Sequence, residues 1–179
     1  ALPGAVLTYR YARGATFYGE YLHATGELGV RLLILAMAVT PLKRLFPSPG
    51  WVRWLARRRR YVGVAAFGYS LLHAIAYLGR QPTFAAIVED AGELALMTGW
   101  IALLVMLALA ATSNDAAVRR LGRAWKWLHR TVYLAAALTL AHWILTAFDP
   151  TAAYVHLGIL VALEATRVLS ARLRAPSPS

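Results

Sequence analysis

Five apolar runs, each about long enough to cross a bilayer, alternate along the chain with charged, proline-containing or turn-like segments. A spanning helix needs about 20 mostly apolar residues, since each residue adds about 1.5 Å of length. The predicted spans are residues 28–45, 61–78, 94–111, 128–148 and 152–169. The pattern therefore predicts an all-α fold, a polytopic transmembrane helix bundle of about five spans with short connections.

The ends of the chain differ from this pattern. Residues 1–27 mix aromatic and charged side chains and contain no signal-peptide pattern, so we expect a partly interfacial N-terminal segment. The bundle is predicted over residues 28–171. Residues 172–179 end in a Pro/Ser sequence and are predicted to form a disordered cytoplasmic tail.

Composition excludes a water-soluble globule and several kinds of metal site. The 179 residues are 59% hydrophobic and 15% charged, with a mean hydropathy of +0.52. The absence of cysteine rules out disulfides, thiolate metal sites, cysteine-bound iron–sulfur clusters and covalently attached haem. Any protein ligand to a metal must therefore come from His, Asp or Glu.

The net charge of +11 follows from membrane topology rather than from a nucleic-acid partner, because the basic residues cluster between the apolar runs. The loop after the first span is predicted to carry Lys43, Arg44, Arg53 and Arg57 to Arg60. The loop after the third carries Arg119, Arg120, Arg123 and Lys126. The positive-inside rule then places both loops and the C-terminus of a multi-pass membrane protein, surrounded by lipid, in the cytoplasm.

Two histidines occupy matching depths in the predicted bundle. His73 lies in the second span and His142 in the fourth, each about 18–21 Å from the cytoplasmic end of its helix. These spans run in the same direction, so the two imidazoles reach one level. Two neutral imidazoles in an apolar bundle without cysteine suit b-type haem, whose macrocycle supplies four further ligands. The alternative is a pair of hydrogen-bonded packing histidines.

A haem also needs a partner for its propionates. Arg80 lies seven residues after His73, on the same helical face and about 10 Å nearer the outside. Tyr77 lies between them. We therefore predict that Arg80 anchors the propionates at the outer rim, with Tyr77 as a further cofactor-binding residue.

His129 does not fit a second pair of facing ligands. In a continuous helix it points about 140° away from His142, and the second span has no histidine below His73. It is predicted to be an interfacial histidine, an edge ligand, or part of a cytoplasmic quinone or flavin site. A flavin phosphate could bind the basic residues, with Trp125 or Trp127 stacking on the ring, although topology alone explains these residues more simply. His23 and His156 are predicted to be ordinary interfacial residues.

Short motifs resemble a known family along residues 20–170. The most specific stretch, LGRxWxxLHxxxYL, runs from Leu121 to Leu134. The remaining motifs are Thr25-Gly26, Thr40-Pro41-Leu42, Leu72-His73 with Tyr77, Thr112-Ser113, and His142. Together they resemble the MsrQ family of haem-binding membrane subunits, part of the ferric-reductase-like transmembrane group. Members usually have a further span ahead of the Thr-Gly motif, and we expect that span to be absent here.

The resemblance implies an inner-membrane b-type cytochrome that is an electron-transfer subunit rather than a catalytic one, so no catalytic residue is predicted. It would take electrons from the quinone pool or a cytosolic flavin reductase. It would pass them to a periplasmic molybdopterin-containing subunit that reduces methionine sulfoxide. The resemblance also implies FMN binding and maps three functional histidines onto His73, His129 and His142. The distance between the outer haem and the cytoplasm favours a second cofactor, haem or FMN.

Two other functions stay open on the sequence. One is a stand-alone transmembrane haem reductase of metal ions or quinones, which would use the same residues. The other is a non-redox transporter or assembly factor in which the histidines only pack. Transporters tend to show paired helices broken by Gly or Pro at the midplane, and that pattern is weak here.

Overall fold

The computed structural model describes residues 2–47 and 49–172, and every regular element in those two stretches is helical. The helices are α1 (Leu2–Ala12), α2 (Tyr18–Leu45), α3 (Gly50–Leu78), α4 (Phe84–Ala91), α5 (Leu94–Ala111), α6 (Asp115–Leu121), α7 (Arg123–Arg130), α8 (Val132–Thr146) and α9 (Thr151–Arg172). The prediction of an all-α bundle is confirmed. The predicted disordered tail lies, apart from Arg172, outside the described residues.

Four of the helices within this part of the chain are long and apolar enough to cross a membrane: α2, α3, α5 and the segment Thr151–Leu169 of α9. Helix α5 has the bounds predicted for the third span. Helix α8 is equally apolar in character but has 15 residues, fewer than the roughly 20 that a full crossing needs. The chain is therefore a multi-pass membrane protein, and its described residues contain four helices of full spanning length where five spans were predicted.

The first two spans are longer than the sequence pattern indicated. Helix α2 begins at Tyr18, inside the segment predicted to be interfacial. Helix α3 begins at Gly50, so the prediction that Arg53 and Arg57 to Arg60 belong to a loop is wrong. No proline interrupts this stretch, and arginine has a high helix propensity, so the helix continues below the apolar segment. Helix α2 ends at Leu45 and α3 begins at Gly50, so the two helices follow each other closely in the chain.

The fourth predicted span is also wrong at its start. A turn at Thr131 separates α7 from α8, and the Thr131 N–H bonds to the carbonyl of Leu128, three residues back instead of four. His129 and His142 consequently belong to different helices. The predicted angle of about 140° between their side chains required one continuous helix, so it does not apply to this structure.

The bundle is built from two closely packed helix pairs, α2 with α3 and α5 with α8, with α9 packed against α2. Gly29 allows the first pair to approach closely, because a Cβ there would lie 2.9 Å from the Ser70 hydroxyl oxygen. The shared core includes Leu33, Ala66 and Met106, while many leucines on the outer faces stay exposed, as lipid contact requires. This packing sets α3 and α8 opposite each other across the bundle.

Candidate functional site

His73 of α3 and His142 of α8 face each other across the bundle. Their ring centres are 6.1 Å apart and the ring planes are nearly perpendicular, at 89°. Both lie within two turns of the helix end that is farther from Arg57 to Arg60. We call this the histidine end of the bundle, and the opposite end, with those four arginines, α6 and α7, the arginine-rich end.

Each of these imidazoles has its tautomer fixed by a main-chain carbonyl. Nδ1 of His73 lies 2.9 Å from the carbonyl oxygen of Leu22 on α2. Nδ1 of His142 lies 2.8 Å from the carbonyl oxygen of Ala95 on α5. Because a carbonyl oxygen only accepts, Nδ1 must be the protonated donor in both rings. Nε2 then carries the lone pair of the neutral ring and is the nitrogen left for a metal.

Glycines on the opposing helices make room for both rings. A Cβ on Gly26 would lie 3.0 Å from Nδ1 of His73, and a Cβ on Gly99 would lie 2.8 Å from Nδ1 of His142. Such distances are shorter than ordinary van der Waals contact. Each imidazole therefore reaches its carbonyl only because the residue four positions later has no side chain.

The two histidines line a cavity of about 300 Å³, at the small end of the range of about 300–1,000 Å³ usual for cofactor sites. Its wall is mostly apolar or aromatic and includes Trp100, Met106 and Trp143. A largely apolar cavity with two neutral nitrogen donors suits an apolar macrocycle that carries its own metal.

The donor set fits haem better than a metal held by protein alone. Within residues 2–47 and 49–172, no group of three or more His, Cys, Asp or Glu side chains could hold a metal ion. Two imidazoles that bind one metal from opposite sides, each through a bond of about 2 Å, have ring centres about 6 Å apart. The observed 6.1 Å between His73 and His142 matches that requirement.

Tyr77 and Arg80 lie at the rim of the histidine end. Tyr77 lines the cavity, and its hydroxyl donates a hydrogen bond of 2.7 Å to Asp90 in α4. The Arg80 guanidinium lies 4.9 Å from the ring centre of Tyr18, next to the cavity-lining Gly19. Arg80 is thus near the opening but not among the lining residues, and its role as a propionate anchor stays a prediction.

His129 lies apart, at the arginine-rich end. Its ring stacks on Trp125 at 3.9 Å, and Nε2 lies 3.1 Å from the Thr112 hydroxyl oxygen. Partial burial lowers the pKa of His129, and the positive charges of Arg59 and Arg60 lower it further. The structure does not bring His129 together with His73 and His142.

The proposed flavin-stacking residues are already in contact with neighbouring side chains. One face of Trp125 is covered by His129, and its indole N–H donates to the carbonyl of Thr112 at 3.0 Å. Trp127 is covered by the Arg130 guanidinium, 4.7 Å from the ring centre. A flavin at this end would have to stack on the remaining faces.

Sequence reasoning missed a cluster of three polar side chains that lie along one face of α2. His23, Glu27 and Arg31 are four residues apart, and Glu27 contacts both of the others. His23 lines the cavity and meets the edge of Trp143, whose other neighbour is His156. The spacing of four was visible in the sequence and would have grouped the three α2 residues. The contact with His156 depends on how α9 packs.

Comparison with known proteins supports this description. The family model for the ferric reductase like transmembrane component matches residues 25–140. Three similar proteins are each named protein-methionine-sulfoxide reductase heme-binding subunit MsrQ. The one from Deinococcus radiodurans is 39% identical, over 92% of this chain and 82% of its own. Those from Caulobacter vibrioides and Cronobacter sakazakii are 35% and 36% identical, over 93% and 79% of this chain and 80% and 72% of their own. No solved structure matches the chain.

Proposed function

The chain belongs to the ferric-reductase-like transmembrane family and, within it, to the MsrQ subunits, and on this premise we propose that it is the haem-binding membrane subunit of a methionine-sulfoxide reductase system. The observation that carries this proposal is the facing pair His73 and His142, with ring centres 6.1 Å apart in an apolar cavity. The names of the relatives support both the haem and the reductase system.

His73 and His142 would bind b-type haem through Nε2, one from each side. Bound haem supplies a one-electron ferric/ferrous couple. Leu22 and Ala95 hold the rings in the tautomer that leaves Nε2 free. With both histidines as ligands, neither oxygen nor substrate would gain access to the metal, and the site would be suited to passing electrons on.

The charge distribution supports a direction for the electrons. The arginine-rich end faces the cytoplasm by the positive-inside rule, which puts the histidine end near the periplasm of an inner-membrane protein. Electrons enter from the quinone pool or a cytosolic flavin reductase and leave to a periplasmic molybdopterin-containing subunit that reduces methionine sulfoxide. A second cofactor near His129, FMN or a second haem, would shorten the path across the membrane.

The absorption spectrum of the purified chain, before and after dithionite, tests the haem. We expect a sharp reduced α-band that carbon monoxide leaves in place, because His73 and His142 would both ligate the haem iron. A correctly inserted preparation that stays colourless after addition of haemin would refute the proposal. Reoxidation of the reduced protein by a periplasmic molybdoprotein tests the partner separately, and a stand-alone reductase would stay reduced in that assay.

A further inference from the structure

The dipeptide Thr-Gly occurs twice in the chain, at Thr25-Gly26 and at Thr98-Gly99. The first is on α2 and the second on α5, the two helices whose carbonyls accept the hydrogen bonds of the facing histidines. In each case the carbonyl that accepts from the histidine belongs to the residue three positions before the threonine. The carbonyls precede their histidines by 51 and 47 residues. The two halves of the site are therefore built from the same local pattern.

Each threonine hydroxyl donates to the carbonyl oxygen that also accepts the hydrogen bond of the nearby histidine. The Thr98 hydroxyl lies 2.7 Å from the carbonyl oxygen of Ala95. The Thr25 hydroxyl lies 3.0 Å from that of Leu22 and 2.8 Å from that of Tyr21, so it is shared between two acceptors. Thr25 and Thr98 are both buried, with exposed fractions of 0% and 8%, so water does not compete for these bonds.

Three donors consequently meet on one oxygen. In an α-helix the carbonyl of Ala95 already accepts the backbone N–H of Gly99, and to this the structure adds the Thr98 hydroxyl and Nδ1 of His142. A carbonyl oxygen has two lone pairs. The threonine therefore weakens the bond that the imidazole can make, while the glycine is what allows the imidazole to approach.

We propose that the pairs Thr25-Gly26 and Thr98-Gly99 are positioning residues that set the reduction potential of the haem through the histidine–carbonyl hydrogen bonds. This inference rests on the proposed haem function. A stronger bond from Nδ1–H makes the imidazole a better electron donor to iron, which stabilises the ferric state and lowers the potential. The glycine strengthens that bond and the threonine limits it. Replacing the glycine should therefore raise the reduction potential, and replacing the threonine should lower it.

Substitutions in Thr98-Gly99 on α5 should change the reduction potential more than those in Thr25-Gly26 on α2. A Cβ on Gly99 would meet three ring atoms of His142 at 2.8, 2.9 and 3.1 Å, so the whole ring would have to move. At Gly26 the corresponding distances to His73 are 3.0, 3.2 and 3.9 Å, and only one edge of the ring is crowded. Thr98 also gives its hydroxyl to one carbonyl, whereas Thr25 divides its own between two.

The test is a redox titration of the full chain loaded with haemin, combined with a haemin-binding titration. In Thr98→Val a methyl group of similar size replaces the hydroxyl, and we expect a more negative potential with haem still bound. Thr25→Val should shift the potential in the same direction by a smaller amount. Gly99→Ala should raise the potential and weaken haemin binding by about 10-fold to 100-fold, the usual effect of losing such an outer hydrogen bond. Gly26→Ala should do the same more weakly.

Matched controls come from glycines in spanning helices where a Cβ would meet nothing. Gly68 on α3 and Gly158 on α9 have no atoms within 4 Å of an added Cβ. Gly68→Ala and Gly158→Ala should therefore keep the potential and the haemin affinity of the parent protein. They also report any general effect of replacing a helical glycine in detergent.

The outcomes separate the two proposals. A parent protein that binds no haemin refutes the proposed function itself. If the parent binds haemin but both threonine variants keep its potential, or shift it upward, the positioning role is wrong. If Gly99→Ala fails to fold, the potential of Thr98→Val decides. A merely structural threonine would change the melting temperature of the protein and leave its potential unaltered.

Discussion

At the scale of single residues, the central feature is that main-chain carbonyls hold both facing histidines in one orientation. Each Nδ1–H donates a hydrogen bond to a main-chain carbonyl oxygen, with N···O distances of 2.9 Å for His73 and 2.8 Å for His142. A fixed ring loses little conformational freedom when it binds a metal. The site is therefore preorganised by the protein backbone, which a side-chain substitution elsewhere in the bundle does not easily disturb.

This arrangement predicts unequal effects of replacing the histidines. His73→Ala or His142→Ala should remove most of the reduced haem band, because each change would delete one of the two proposed haem ligands. His129→Ala should retain at least part of the band, since His129 lies with Trp125 and Thr112 at the other end. His156→Ala serves as a control outside the cavity lining. Loss of all haem from the His129 variant alone would contradict the assignment of His73 and His142 as a facing pair.

Tyr77 illustrates what spacing along a helix does not reveal. Its position between His73 and Arg80 suggested a direct role at the cofactor. In the structure Tyr77 lines the cavity, but its hydroxyl donates to Asp90. Asp90 belongs to α4, a short helix that the sequence pattern did not predict. A partner on an unpredicted element is invisible to helical periodicity, which concerns only residues of the same helix.

At the scale of elements, the run of arginines at the start of α3 connects the helix to its neighbours. The Arg59 side chain donates to the carbonyl of Ala36 on α2 at 2.9 Å, and Arg60 pairs with Asp115 at the start of α6 at 2.7 Å. Arg58 lies over the Trp54 ring, one turn earlier on α3. Because these residues are helical, successive arginines point in different directions and contact different elements.

The ion pair between Arg60 and Asp115 should make the stability of the protein weakly dependent on pH in the acid range. The hydrogen bond and positive charge of Arg60 hold the pKa of Asp115 below its usual value. The unfolded chain therefore binds the proton more readily, and the stabilisation is present above about pH 3.9 and disappears as the pH falls through the lower, folded-state value. The pair is exposed, so the effect should be small and reduced by salt.

Thermal unfolding of the parent and Asp115→Asn, measured in detergent at low salt, checks this expectation. The parent should melt slightly higher at neutral pH, and the difference should vanish in strong acid. Repeating the series at high salt provides the control, because screening should diminish the difference at every pH. A difference that grows as the pH falls would show that the sign is wrong.

At the scale of the whole molecule, the site belongs to neither helix pair alone. Helix α2 supplies the carbonyl that holds His73 of α3, and helix α5 supplies the carbonyl that holds His142 of α8. The cavity forms only where the two pairs meet, at the histidine end, while the positive charge gathers at the arginine-rich end. A cofactor bound in this cavity would therefore lie close to one end of the bundle.

The chain contains no cysteine, which makes its orientation directly measurable. Phe148, between α8 and α9, and Ala116, on α6, are both exposed. In intact cells a membrane-impermeant maleimide should label Phe148→Cys from outside and leave Ala116→Cys unlabelled until the membrane is broken. The cysteine-free parent should give no labelling. The reverse pattern would overturn the predicted orientation and, with it, the direction proposed for the electrons.

The sequence by itself determined the fold class, most of the spanning segments and the shared depth of His73 and His142 in the bundle. It could do so because a bilayer requires long apolar helices with internally satisfied backbones, and length, hydropathy and depth are properties of a single segment. Tertiary structure decided which carbonyls hold the histidines, why Gly26 and Gly99 are needed, and that His129 lies apart. Those contacts join residues about 50 positions apart, at distances set by how whole helices pack, which no pattern within one helix contains.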